Sequence, residues 1–134
     1  MYLTVLPEGV IGSSIIIISG RQEGDFYRLG QKTSVIGRDE TLPIQIIDNH
    51  ISRRHMQIRF NRNNGSYSAL DMGSKNGVLI NDVKIDKETV LNDGDYITIG
   101  NTRLMFTVKD FFDRRSAKAH VKQIGQREYP TQED

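Results

Sequence analysis

The chain has 134 residues, a length typical of a single domain, and its 18 Lys and Arg residues nearly balance its 17 Asp and Glu residues. The resulting net charge of +1 argues against a protein that binds nucleic acid through a large overall positive charge, and an apolar fraction of 37% argues against general disorder. Because there is no cysteine, disulfide scaffolds, thiolate metal sites and cysteine nucleophiles are excluded.

Short strands separated by turn residues are predicted up to about residue 108. Four consecutive isoleucines, Ile15 to Ile18, form a β-branched run that favours a strand buried on both faces. Met56, Ile58 and Phe60 alternate with polar residues, which is typical of a strand with one buried face. In chain order the predicted strands are residues 2–6, 14–19, 26–29, 34–37, 44–47, 56–60, 67–70, 78–80, 96–99 and 103–108. Such closely spaced short strands indicate an all-β sandwich or barrel.

The C-terminal end differs in pattern from the strands that precede it. Asp110 resembles a helix N-cap, and residues 114–124 are compatible with a helix. Residues 126–134 are polar and typical of a frayed tail. We therefore predict a β-domain over residues 1–108, followed by a C-terminal helix and flexible tail over residues 109–134.

Several well-known functional motifs are absent from the sequence. No basic residue precedes Arg21, so no positively charged region opens a signal peptide. The longest apolar run, Ile15 to Ile18, is far shorter than the roughly 20 residues of a membrane helix. No P-loop, no zinc-protease motif and no nucleophile elbow occurs, and the spacing of the three histidines suggests no metal site. We expect a cytoplasmic protein that is not an enzyme and that uses no cofactor, metal or membrane.

The near-zero net charge conceals a local imbalance. Residues 49–70 contain no Asp or Glu, but they hold four arginines: Arg53, Arg54, Arg59 and Arg62. Arg38 precedes this interval and Lys75 follows it. One interpretation is an anion site assembled from loops at one end of a sandwich, and the other is a solvated strand face with arginines at its edge. Charge alone leaves both interpretations open.

Three loop motifs lie in order around this interval: Gly37-Arg38, Ser52-Arg53-Arg54-His55 and Ser74-Lys75-Asn76-Gly77. An arginine offers a planar fork of donors to phosphate oxygens, and a serine offers a short hydroxyl donor. An asparagine side chain both donates and accepts, so Asn76 suits the N–H and C=O groups of a peptide backbone. Together these residue types favour a site that holds a phosphate next to a peptide.

The motifs resemble those of the forkhead-associated (FHA) domain family. The segment Asp48-Asn49-His50-Ile51-Ser52-Arg53-Arg54-His55 is similar to the family's central motif, and the segment from Leu70 to Asn81 is similar to its second signature. The closing segment of the family is matched by Leu91, Asp93-Gly94-Asp95, Ile97 and Gly100. The resemblance extends from about Tyr2 to Val108 and implies an eleven-stranded FHA-type β-sandwich that binds phosphothreonine peptides through loops at one end.

The resemblance also implies a role for each matching residue. Four residues would bind the phosphate: Arg38, Ser52, Arg53 and Lys75. Asn76 would hold the ligand's backbone, and His50 would set the preference for the residue three positions after the phosphothreonine. If His50 faces the ligand, its protonated form favours an acidic side chain there. Four further residues would shape and brace the loops: Gly37, His55, Gly77 and Asn81.

The function implied is phosphorylation-dependent protein–protein interaction in Ser/Thr kinase signalling. The expected partner is a phosphothreonine-containing protein or peptide, such as a Ser/Thr protein kinase or one of its substrates, and no nucleic acid is expected. The three loop motifs contain no aromatic residue, whereas nucleic-acid binding would favour aromatic residues interleaved with the basic ones.

Other interpretations stay open at this point. Ser52 and His55 are a candidate nucleophile–base pair, although the sequence shows no strand–turn–helix elbow and nearby cations favour anion binding. His50 is equally compatible with a solvent-exposed loop position. The domain is also compatible with a phosphate-independent interaction scaffold that uses a side face of the sandwich.

Overall fold

The computed structural model describes residues 13–109 and 117–123 of the chain. Within them it shows eleven strands and a short helix, which confirms the predicted all-β sandwich with a short C-terminal helix. The strands are β1 (Ser14–Ser19), β2 (Phe26–Arg28), β3 (Ser34–Gly37), β4 (Ile44–Gln45), β5 (Met56–Phe60), β6 (Tyr67–Asp71), β7 (Leu79–Ile80), β8 (Val83–Lys84), β9 (Thr89–Val90), β10 (Tyr96–Ile99) and β11 (Thr102–Thr107). The helix α1 covers residues 117–123. The predicted strand at 2–6, the N-cap Asp110 and the tail at 126–134 lie outside the described residues.

The strands form two sheets. One sheet has six strands in the order β2-β1-β11-β10-β7-β8, and the other has five in the order β4-β3-β5-β6-β9. Among the strand pairs that the structure describes, β3 and β4 are parallel, and the other neighbouring strands are antiparallel.

The register of the five-stranded sheet brings three strand ends together. Ile36 near the end of β3 lies opposite Met56 at the start of β5, and Met56 lies opposite Asp71 at the end of β6. The loops that follow β3, precede β5 and follow β6 therefore emerge from the same end of the sandwich.

The main hydrophobic core fills the space between the two sheets. Ile15 and Ile17 of β1 belong to this core and are fully buried. The ring of Tyr67 packs with its centroid 5.1 Å from that of Phe60 and 5.7 Å from that of Phe106. These contacts join β5 and β6 to β11, so the core links the two sheets.

A second, smaller apolar cluster lies on the other face of β1. Ile16 is 1% exposed and packs with the fully buried Ala117 of α1, and the partly buried Ile18 and Val121 join them. The imidazole of His120 in α1 is hydrogen bonded through Nε2 to the Thr107 hydroxyl at 2.9 Å. The prediction that the isoleucine run is buried on both faces is confirmed, because α1 covers its outer face.

Two short strands were missed by the sequence patterns. β8 and β9 have two residues each, and their valines, Val83 and Val90, are 67% and 57% exposed. Two residues are too few to show an alternation of apolar and polar side chains, so no local pattern predicts a strand there. Both strands are defined by pairing with a neighbour, β8 with β7 and β9 with β6.

Candidate functional site

The end of the sandwich described above carries three loops that hold most of the predicted site residues. They are the β3–β4 loop (residues 38–43), the β4–β5 loop (residues 46–55) and the β6–β7 loop (residues 72–78). Gly37 is the last residue of β3, directly before the first of these loops. Asn81 lies apart from them, in the turn between β7 and β8.

Arg38 is exposed and is oriented by two hydrogen bonds to the β4–β5 loop. Its Nε–H donates to the Ile51 carbonyl at 3.0 Å, and its backbone N–H donates to the Ser52 carbonyl at 3.1 Å. The terminal nitrogens of the guanidinium have no hydrogen-bond partner within the part of the chain that the structure describes. Arg38 is therefore anchored at one edge of its guanidinium while the other nitrogens are available to a ligand.

Ser52 and Lys75 connect the β4–β5 and β6–β7 loops. The backbone N–H of Lys75 donates to Ser52 Oγ at 3.1 Å. Because Oγ acts as the acceptor here, the hydroxyl hydrogen of Ser52 can still be donated to another group. The Lys75 side chain is exposed, and Ser52 is partly buried.

His55 braces the same two loops from the interior. It is fully buried, its Nδ1 lies 3.0 Å from the backbone nitrogen of Ser52, and its Nε2 lies 2.7 Å from the Gly77 carbonyl oxygen. A backbone N–H can only donate and a carbonyl can only accept, so Nδ1 is the acceptor and Nε2 carries the proton. Both ring nitrogens are thus committed to the backbone, and neither is free to take a proton from Ser52 Oγ.

Asn76 is exposed and also crosses between loops. Its Nδ2 donates to the His50 carbonyl at 2.8 Å, which leaves the side-chain oxygen directed to no hydrogen-bond donor in residues 13–109 and 117–123. Gly77 follows with a φ of +83°, a conformation that favours glycine. The Gly77 N–H donates to Ser74 Oγ at 2.9 Å and so closes the turn that presents Asn76.

Gly37 allows a close approach between β3 and the β4–β5 loop. A Cβ built on Gly37 would lie 2.0 Å from the carbonyl oxygen of Arg53 and 2.7 Å from its carbonyl carbon. Since these are backbone atoms, no side-chain rearrangement could make room. The absence of a side chain at Gly37 brings Arg38 and Arg53 to the same end of the structure.

The end of the sandwich carries four exposed cations alongside the acidic residues Asp39, Glu40 and Asp48. Arg38, Arg53, Arg54 and Lys75 are all exposed, and none of them forms an ion pair within the described ranges 13–109 and 117–123. The acidic residue nearest in sequence, Asp39, accepts hydrogen bonds from the backbone N–H and the hydroxyl of Thr41 at 2.9 and 3.0 Å. These bonds, followed by the positive charges of Arg53 and Arg54, lower the pKa of Asp39.

His50 lies at the edge of this cluster with a side chain that is 62% exposed. Its Nδ1 is 2.9 Å from the side-chain nitrogen of Asn101 and 3.4 Å from Asp48 Oδ1. The exposure is compatible with either of the two predicted situations, contact with a ligand or a solvated loop position.

Asn81 is not part of the cluster and instead joins the β7–β8 turn to the start of β10. Its Nδ2 donates to Asp95 Oδ1 at 2.9 Å, and its Oδ1 accepts the Tyr96 N–H at 2.9 Å. It adopts a φ of 50°, in the left-handed region.

Asp48 is the residue in this region to which sequence reasoning assigned no role. Its side chain is 7% exposed, and its carboxylate accepts hydrogen bonds from the backbone N–H groups of His50 and Asn101 and from the Thr102 hydroxyl. Burial opposes ionisation, but these hydrogen bonds outweigh it and lower the pKa of Asp48. The spacing of Asp48 and His50 is the local signal of an Asx turn, whereas the other two partners are more than 50 positions away.

No group of three His, Asp or Glu side chains in residues 13–109 and 117–123 is arranged to hold a metal ion. Over the same residues, no helix has the length and apolar character needed to cross a membrane.

The chain is similar in sequence to known proteins. A model of the FHA domain matches residues 34–100. The oxoglutarate dehydrogenase inhibitor of Corynebacterium jeikeium is 37% identical over 101 residues, which cover 75% of this chain and 67% of the relative. The glycogen accumulation regulator GarA of Mycolicibacterium smegmatis is 34% identical over 96 residues, which cover 71% of this chain and 59% of the relative. The chain thus spans about three fifths to two thirds of these relatives.

Solved structures show the same fold. A chain from a structural and functional analysis of phosphothreonine-dependent FHA domain interactions superimposes with a TM-score of 0.65 and 25% identity, covering 75% of this chain and 99% of that one. The sandwich, the loop cluster, the family match and these relatives agree: the chain belongs to the FHA domain family.

Proposed function

We propose that the chain is a phosphothreonine-peptide binding module that mediates phosphorylation-dependent protein–protein interaction in Ser/Thr kinase signalling. The proposed partner is a phosphothreonine-containing protein, either a Ser/Thr protein kinase or one of its substrates, met in the cytoplasm. Support comes from the similarity to an FHA domain studied for phosphothreonine-dependent interactions and to relatives named as a regulator and an inhibitor.

The observation that carries this proposal is a set of exposed cations that form no ion pair within the described residues and lie on loops joined by hydrogen bonds. Arg38, Arg53 and Lys75 provide positive charge. The hydroxyl of Ser52, which is bonded to the backbone of Lys75, provides a hydrogen-bond donor. The free terminal nitrogens of Arg38 are suited to two phosphate oxygens at once, because a guanidinium fork matches their spacing.

The affinity expected from such a site is moderate. Two or three charge-assisted hydrogen bonds at about 1.5–3 kcal/mol each sum to about 3–9 kcal/mol before the cost of ordering a peptide is subtracted. A dissociation constant of 1 µM corresponds to roughly −8 kcal/mol, so we expect an affinity in the micromolar range and not tighter. Asn76 adds a peptide-specific element, since its side-chain oxygen is available for the N–H of a residue next to the phosphothreonine.

We infer that the module binds without catalysis. In a hydrolase, a base must reach the nucleophile, and the histidine that contacts Ser52, His55, has both ring nitrogens committed elsewhere. His55 accepts the Ser52 backbone N–H through Nδ1 and donates to Gly77 through Nε2, which supports a bracing role for this histidine.

The test is isothermal titration calorimetry of the whole chain with three matched short peptides. One carries phosphothreonine followed, at the third position after it, by Asp; the second is its unphosphorylated twin; the third has phosphoserine instead. We expect a micromolar dissociation constant for the phosphothreonine peptide and at least roughly 50-fold weaker binding of the unphosphorylated twin. The phosphoserine peptide is expected to bind more weakly, because it lacks a methyl group worth about 1 kcal/mol.

Equal affinity for the first two peptides would contradict the proposal. That outcome would favour the alternative, a phosphate-independent scaffold that uses a side face of the sandwich. The exposed valines Val83 and Val90 on the edge strands β8 and β9 mark where such a face would lie.

A further inference from the structure

The turn between β10 and β11, residues 100–101, packs against the β4–β5 loop although it belongs to the other sheet. Gly100 has a φ of +56°, and a Cβ built on it would lie 2.7 Å from Ile51 Cγ1 and 2.9 Å from Asp48 Oδ2. No side chain fits at this point, so the backbone of the turn touches the loop directly. The family resemblance gave no ligand-binding role to this turn.

Asp48 is the polar connection between the turn and the loop. Its Oδ2 accepts the Asn101 N–H at 2.7 Å and the Thr102 hydroxyl at 2.8 Å, both from the six-stranded sheet. Its Oδ1 accepts the His50 N–H at 2.8 Å, and its own carbonyl accepts the Ile51 N–H at 3.1 Å. The carboxylate therefore fixes the start of the β4–β5 loop relative to both sheets.

Two ligand-facing side chains depend on the backbone that Asp48 holds. Asn76 is anchored to the His50 carbonyl at 2.8 Å, and the Arg38 Nε–H is anchored to the Ile51 carbonyl at 3.0 Å. If the peptide groups at His50 and Ile51 turn, the anchors of Arg38 and Asn76 turn with them. A shift of about 1 Å in such groups is enough to reduce binding strongly, because charge-assisted hydrogen bonds require good geometry.

We propose that Asp48 is a positioning residue for phosphopeptide recognition: it clamps the β4–β5 loop to the β10–β11 turn and so places Arg38 and Asn76 for the ligand. This inference rests on the proposed function. The direct electrostatic effect of Asp48 has the opposite sign, since a carboxylate close to the site repels a phosphate dianion. The two effects can therefore be separated by experiment.

The experiment is a double-mutant cycle on the affinity for the phosphothreonine peptide defined above, with D48N, T102V and the double variant. D48N is nearly isosteric, but it leaves one acceptor oxygen where the carboxylate accepts the His50 N–H through Oδ1 and the Asn101 N–H through Oδ2. One of these two bonds is lost, and we expect about tenfold weaker binding despite the loss of a negative charge. T102V removes one hydroxyl donor, for an expected loss of about threefold. The double variant should bind no more weakly than D48N, because Thr102 acts through Asp48.

Asp86 provides the matched control. It is exposed in the connection between β8 and β9, so D86N removes the same charge without touching the clamp, and its affinity should stay within about twofold of the wild type. Thermal unfolding is measured for every variant. A merely structural role would couple Asp48 and Thr102 in stability but leave the affinity of the folded protein unchanged.

The inference is overturned if D48N binds the peptide as tightly as the wild type or more tightly, or if the effects of D48N and T102V on affinity simply add. Should D48N fail to fold, T102V decides alone, and an unchanged affinity of T102V overturns the inference. An R38A variant separates the two proposals. Loss of binding in R38A with full binding in D48N contradicts only this inference, whereas a wild type that ignores phosphorylation contradicts the proposed function and this inference with it.

Discussion

Two regions of the molecule share the arginine-rich, acid-free stretch between residues 49 and 70, and the fold treats their charges differently. Arg53 and Arg54 lie in the β4–β5 loop and form no ion pair within the described part of the chain. Arg59, in β5, places Nη1 3.2 Å from Oε1 of Glu88, in the connection between β8 and β9. One arginine of the run, Arg59, is therefore paired with a distant part of the chain, whereas Arg53 and Arg54 form no such pair.

The polar side chains of the two regions differ in the same way. In the hairpin between β5 and β6, Asn61 accepts the Asn63 N–H at 2.9 Å and Asn64 accepts the Ser66 N–H at 3.0 Å, each two positions along the chain. At the loop cluster, Asn76 reaches His50 across 26 positions. Local bonds stabilise a turn, whereas long-range bonds hold separate loops in one arrangement, which is what a binding site requires.

The largest expected effect is the difference in peptide affinity between variants of Arg38 and of Arg62, an exposed arginine of the hairpin. R38A should weaken binding of the phosphothreonine peptide by about a hundredfold or more, because it removes the charged fork that is anchored at the site. R62A loses the same charge at the other region and should remain within about twofold of the wild type. Isothermal titration calorimetry at two salt concentrations measures both, and similar losses in the two variants would show that bulk charge, not a built site, attracts the ligand.

A smaller effect is expected on stability when the glycines of the two regions are compared. G37A forces a methyl group to within 2.0 Å of the Arg53 carbonyl oxygen and should reduce the free energy of unfolding by about 3 kcal/mol. Gly65 has a φ of +75° and open space around it, so G65A should cost only about 1 kcal/mol of backbone strain. Chemical denaturation with urea measures the two losses. Equal values would mean that the backbone at Arg53 moves away from residue 37 at little cost.

The smallest effect concerns the ion pair that neutralises Arg59. The side chain of Arg59 is 48% exposed and that of Glu88 is 45% exposed, so a double-mutant cycle of R59A and E88A should give a coupling of only about 0.2–1 kcal/mol in unfolding free energy. Neither variant should change peptide affinity by more than about twofold. A change in affinity comparable to that of R38A would mean that the two regions are not independent.

Much of the fold could be predicted because its signals are local. The isoleucine run of β1 and the alternation in β5 each lie within five or six residues, and each pattern alone predicts which side chains are buried. β8 and β9 could not be predicted this way, since each exists through pairing with a strand that lies elsewhere in the sequence.

The candidate site shows the same limit. Arg38, Ser52 and Asn76 belong to short motifs, so a sequence pattern singles them out. Asp48 depends on Asn101 and Thr102, which follow it by 53 and 54 positions, and only the packing of one sheet on the other brings them together. The assigned roles of the motif residues in ligand binding stay predictions until a ligand is measured.

The order of the six-stranded sheet has a consequence for how the domain can be cut. The segment that matches the family model, residues 34–100, contains β3 to β10 but lacks β1, β2 and β11. In the sheet order β2-β1-β11-β10-β7-β8, that excision removes half of the strands and leaves the Ile97 and Ile99 backbone on an open edge. The stretch that carries the recognisable signature therefore lacks three strands of the six-stranded sheet, and we expect a transplanted version of this domain to need its flanking strands.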